Sequence, residues 1–235
     1  MRRGVTVGAS TAIAAYAALQ VLGRVAGSTA AERRAVMPGD DLVDDPQMVT
    51  NHATTIQAPP EVVWPWLTQL GWHLAGWYTP RWVDRLLFPD NWPSLDRLDP
   101  VLLRDLEEGD VIPDGPPGTA EYVVSRVEPP RLLVLRSTSH IPPGWAEKYG
   151  ARITWTWTIS LTPTPDGSTR AHLRVRGRMA PWWFAAFYVA TIVPGRLRHG
   201  PRDAARAPAA RRGRPGARGV RPGGVLGTPR LATRR

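Results

Sequence analysis

The sequence predicts an α+β fold in which a curved antiparallel sheet wraps against helices around an apolar interior. Three observations point there. An early stretch carries a 3.6-residue apolar stripe behind a proline-rich start, the later stretches alternate with period two, and a segment apolar on every side follows the last of them. Eleven Trp among 235 residues supply rings at a density that lines a large core or an apolar cavity.

From the N-terminus, Arg2 and Arg3 precede an uncharged run over residues 4–23. Its length is about that of a membrane-spanning helix. Thr6, Ser10, Thr11 and Gln20 interrupt it, so its hydrophobic drive is weak. Three readings of residues 1–26 stay open: a membrane anchor, a cleaved signal peptide, or an amphipathic or disordered leader. The anchor is the leading expectation and makes the protein membrane-associated through residues 4–23; the alternative is a cytoplasmic protein. Residues 27–47 read as a polar linker that ends in Asp40-Asp41-Leu42-Val43-Asp44-Asp45.

The domain is expected over 48–194. Residues 49–57 read as a strand, and Ala58-Pro59-Pro60-Glu61 opens a helix with proline in the first turn and an acid on the dipole's positive end. Val62, Val63, Trp66, Leu67 and Leu70 form its stripe, Pro65 predicts a kink, and Gly71 stops it. Residues 81–88 read as a second short helix with Trp82 on its apolar side. Strands are predicted at 121–128, 131–137, 152–162 and 169–179. In 152–162, Ile153, Trp155, Trp157, Ile159 and Leu161 point one way and the intervening Thr and Ser the other. In 169–179, Ala171, Leu173, Val175 and Met179 face in, while His172, Arg174, Arg176 and Arg178 face out, as on the solvated side of an antiparallel sheet. Residues 181–193 are a helix rich in aromatic side chains.

Charge is uneven. The net of +10 belongs to residues 196–235, which hold 12 Arg and one acid, whereas residues 1–195 sum to −1. A nucleic-acid-binding domain carries its basic patch on the folded part, so no specific nucleic-acid partner is expected. Arg, Ala, Gly and Pro make up 31 of the last 40 residues. Residues 195–235 therefore read either as a basic disordered tail or as the out-of-frame product of a GC-rich gene.

The stretch Thr55-Ile56-Gln57-Ala58-Pro59-Pro60-Glu61-Val62-Val63-Trp64-Pro65-Trp66-Leu67 resembles the first strand and helix of the SRPBCC superfamily, in its polyketide cyclase/dehydrase-like branch. Gly76-Trp77-Tyr78, Leu106-Glu107-Glu108-Gly109-Asp110-Val111-Ile112, and Val127-Glu128-Pro129-Pro130-Arg131-Leu132-Leu133-Val134-Leu135 fit the same pattern. Met37-Pro38-Gly39-Asp40-Asp41-Leu42-Val43 is similar to a leader that precedes such domains. The resemblance covers 37–194 and implies the START-like helix-grip fold. It also implies a hydrophobic small-molecule partner held between the sheet and a C-terminal helix. It carries over no catalytic residue.

Chemistry is sparse. Zero Cys excludes thiolate sites, and the five His show no ligand spacing, so no metal and no cofactor are expected. No phosphate-binding or nucleophile-elbow motif occurs. His140, Glu147 and Tyr149, in loops at strand ends, are the nearest acid/base candidates, against a reading as plain loop residues in solvent. Trp66, Trp77, Tyr78, Trp82, Trp155, Trp157 and Phe187 are the candidate cavity residues, either as a ligand cage or as core packing. The expected function is binding of a hydrophobic or aromatic small molecule, with or without cyclase- or dehydratase-like chemistry. The alternative is a non-enzymatic protein that binds a partner through the sheet surface.

Overall fold

The computed structural model describes residues 2–78 and 94–195. The helix expected at 81–88, Trp82 and the basic tail from residue 196 onward lie outside the described residues. The elements are α1 (Arg2–Val25), α2 (Ala30–Arg34), a 3-10 turn (Asp40–Leu42), β1 (Met48–Ile56), α3 (Pro60–Thr68), β2 (Val111–Pro113), β3 (Glu121–Glu128), β4 (Leu132–Ser137), α4 (Trp145–Tyr149), β5 (Arg152–Pro163), β6 (Thr169–Ala180) and α5 (Trp182–Gly195). The six strands form one antiparallel sheet in the order β1-β6-β5-β4-β3-β2, so the first strand pairs with the last. Helices α1, α3 and α5 pack against the sheet or each other, in the helix-grip arrangement.

Register carries the alternation into three dimensions. Trp157 stands opposite Val175, Ile159 opposite Leu173 and Leu161 opposite Ala171 on the inner face. Beneath them Met48, Leu133, Leu135, Ile153, Trp155 and Met179 form the core with Phe184, Ala185 and Val193 of α5. Helix α3 starts as the prolines dictate, with Pro59 as N-cap and Pro60 in the first turn. Its last carbonyls meet Arg104, whose Nε donates to Thr68 O at 3.1 Å and Nη2 to Leu70 O at 3.5 Å.

The N-terminal run departs from the leading expectation. No described helix is long and apolar enough to cross a membrane. Helix α1 instead packs on α5 and β1. Tyr16, Gln20 and Gly23 dock it. Pro194 has no N–H, so the carbonyl four residues back, on Ala190, loses its helical donor. Tyr16 OH fills that vacancy, donating to Ala190 O at 2.9 Å. Gln20 Nε2 donates to Val189 O at 3.0 Å and to Tyr16 OH at 2.8 Å. A Cβ at Gly23 would run into the Val193 carbonyl, so glycine sets the closeness of the two helices. The chain then rounds the edge of the sheet. The Ala53 amide of edge strand β1 donates to Ala26 O at 3.1 Å, and His52 Nε2 lies 2.7 Å from Gly23 O.

The outer face also differs from expectation. The arginines of β6 are not a solvated row, because residues 29–45 fold across them as a strap. Arg174 is 3 % exposed. Its Nε donates to Asn51 Oδ1 (2.8 Å), its Nη1 to Ala35 O and Asp40 Oδ2 (both 2.7 Å), and its Nη2 to Glu32 O (2.8 Å). Arg170 forks onto Glu32 at 2.7 and 2.9 Å, and Arg176 and Arg178 donate to the carbonyls of Val43 and Asp44. Thr29 and Glu32 cap α2 reciprocally. Met37 and Val43 of the strap are buried, and Thr158 Oγ1 donates to Pro38 O at 3.0 Å. A buried guanidinium is tolerable only where its donors are used, and this strap uses them.

Candidate functional site

The stripe of α3 faces the upper inner surface of β5 and β6, and a pocket opens between them. It encloses about 780 Å³ of empty space, its open mouth included. Val63, Trp66 and Leu67 of α3, with Leu70 just past its end, form one wall; Trp157, Ile159, Leu161, Ala171 and Leu173 form the sheet wall. Ile56 at the end of β1, His172 of β6, and Trp77 and Tyr78 from the loop after α3 complete it. Ile56, Val63, Leu161 and Ala171 also make a small buried cluster of their own at the floor.

The loop wall is held by a buried polar relay. Gln69 is fully buried, and its Nε2 donates to Tyr78 OH at 2.8 Å. Tyr78 OH donates in turn to Trp66 O at 2.8 Å, and Gln69 Oε1 accepts from Asp99 N–H at 3.2 Å. Tyr78 sits in the left-handed backbone region (φ 54°), which a bulky residue adopts only where its surroundings hold it. Burial pushes its phenol well above the ordinary tyrosine value, so it stays neutral. Its ring meets Trp66 edge-on at 5.6 Å. Trp77 spans to Trp157 and to Tyr122, each at 5.3 Å between ring centres.

Of the seven sequence-predicted cavity residues, Trp66, Trp77, Tyr78 and Trp157 come together here. Trp155 shares the face of Trp157 but is 6 % exposed and lies outside the pocket lining, packed on Tyr122, His140 and Tyr188 at 6.3, 4.9 and 5.8 Å. Phe187 is 47 % exposed on α5 and contacts Trp145 and Tyr188. The aliphatic half of the lining was absent from the sequence-level candidates. The period-two rows already marked Ile159, Leu161, Ala171 and Leu173 as inward, and that was the signal to use.

Among the acid/base candidates, Glu147 and Tyr149 are exposed on α4. His140 is not a plain loop residue. Its Nε2 lies 2.7 Å from Asp114 Oδ2 and its Nδ1 2.6 Å from Ser137 Oγ. A carboxylate only accepts, so Nε2 donates to Asp114. The row ties β4 to the end of β2, under the rings of Tyr122 and Trp155, and none of its members lines the pocket. Among the described residues no group of His, Asp and Glu is arranged to hold a metal ion.

No protein-family model matches the chain, and no curated relative does. Solved structures with similar folds include CalU16 from Micromonospora echinospora, 16 % identical, covering 67 % of this chain and 86 % of its own, with a TM-score of 0.32. Truncated norcoclaurine synthase from Thalictrum flavum is 15 % identical over 67 % and 91 %, with a TM-score of 0.36. Protein Mll3558 from Rhizobium loti is 17 % identical over 67 % and 96 %, with a TM-score of 0.38. The fold assignment rests on the strand order and register above.

Proposed function

We propose that this chain binds a hydrophobic or aromatic small molecule in the pocket between α3 and the inner face of β5 and β6. The observation that carries the reading is the pocket itself: a concavity walled by aliphatic and indole side chains, over a core already filled by other residues. Any cyclisation or dehydration there draws on shape, by holding a ligand in its reactive conformation. Partner binding through the outer sheet face is not favoured, because the strap occupies that face along β6 and reaches β5.

Uptake of N-phenyl-1-naphthylamine, followed by its fluorescence and by quenching of tryptophan, tests the proposal. Saturable uptake is expected. Trp157→Ala removes a wall and Ala171→Trp fills the floor, and both should weaken it, with circular dichroism verifying the fold of each. No uptake by the unmodified chain, or full uptake by a folded Ala171→Trp variant, overturns it.

A further inference from the structure

A pocket selects by what its wall can pair with as much as by size. The wall described above contains no carboxylate, guanidinium or ammonium among the described residues. Its few polar groups are mostly engaged or closed off, one ring nitrogen of His172 apart. Tyr78 OH accepts from Gln69 and donates to Trp66 O, so neither its proton nor its best acceptor site is open. His172 Nε2 lies 3.1 Å from Asn51 Oδ1, and burial, helped by the neighbouring Arg174 guanidinium, holds the ring below the ordinary histidine pKa, hence neutral near pH 7. The indole nitrogens of Trp77 and Trp157 are buried within the protein and present no surface to the cavity. The sheet backbone behind the wall is spent on β5–β6 pairing.

From this wall, and resting on the binding reading above, we infer that the pocket selects neutral molecules with little hydrogen-bonding capacity on their buried part: hydrocarbon or polycyclic aromatic skeletons, not carboxylates, alkylammonium ions or phenols. A charged group carried into the pocket loses its hydration and meets no counter-charge. A hydroxyl loses its water and finds no partner.

The experiment is displacement of N-phenyl-1-naphthylamine from the full chain at pH 7 by four competitors of one shape: 2-methylnaphthalene, 2-naphthol, 2-naphthoate and 2-naphthylmethylammonium. The methyl compound should displace at the lowest concentration. The naphthol should need roughly tenfold more and each ion at least about 100-fold more, equivalent to about 1.4 and 2.7 kcal/mol. Displacement by either ion within tenfold of 2-methylnaphthalene overturns the inference, because it requires a counter-charge or donor in the wall. Displacement by the naphthol at or below the methyl compound's concentration overturns the neutral-hydrocarbon assignment in the same way. If the dye itself is not taken up, the binding reading fails, and this inference with it; that outcome is distinguishable from a wrong order of competitors.

Discussion

Single side chains settle contacts made far away in sequence. Tyr16 supplies the donor that Pro194 denies to Ala190 O. Tyr16→Phe should therefore cost about 1 kcal/mol, read as a lowered urea midpoint. In a Pro194→Ala background the helix regains its own N–H and the same substitution should cost much less. Equal costs in both backgrounds would show that the hydroxyl does not serve that carbonyl. Arg174 is the opposite case, a charge with almost no access to water. Arg174→Met removes the guanidinium that pairs with Asp40 and joins the strap to Asn51, and should destabilise by about 3–5 kcal/mol. Arg178→Met, whose side chain is 55 % exposed, should stay within about 0.5 kcal/mol of the parent. Trp155 and Trp157 stand two residues apart on one face, yet one is core and the other a pocket wall. Tyr122 reaches across from β3 and lies parallel to Trp155, whereas Trp77 leaves Trp157 at the edge of the open space.

At the scale of elements, the strap is the part whose attachment is set by ionisation. Glu32 is lowered from 4.5 to about 2, chiefly by its hydrogen bonds from Arg170, with burial opposing. A carboxyl depressed in the folded state contributes stability that is complete above its unfolded pKa and lost as pH falls through the folded one. The contribution of Glu32 should thus be intact above about pH 4.5 and fade toward pH 2. Urea midpoints of the parent and of Glu32→Gln, compared across that window, should converge as pH falls. Parallel curves would mean that the Glu32–Arg170 pair does not hold the strap. Helix α3 is placed differently. Its apolar stripe and proline start are local signals, but the loop behind it depends on Gln69 and Tyr78, whose meeting no periodicity announces.

For the whole molecule, α1 and the strap form one continuous arm. It runs along α5 on the inner side, rounds the β1 edge and crosses the outer face. An edge strand with free amides is a liability, and the arm covers it at Ala53. Removing residues 1–26 should expose that edge: the Ala53 amide, slow to exchange with deuterium in the full chain, should exchange at least about tenfold faster, together with amides of α5. Unchanged protection would show that the arm adds nothing to the fold. The sheet faces, the helix α3 stripe and the inward set that includes Trp157, Ile159, Leu161 and Leu173 are legible in the residue order. These follow from periods of 2 and 3.6 residues, which are written locally. That residues 29–45 are a strap, that Arg174 is buried beneath it, and which tryptophans meet the pocket follow from packing between distant segments. Glu32 and Arg170 lie 138 residues apart, and Tyr16 and Ala190 174 apart. A polar residue with its partner at that distance has the same local signature as one facing water, so its burial is set by the packing that brings the two together.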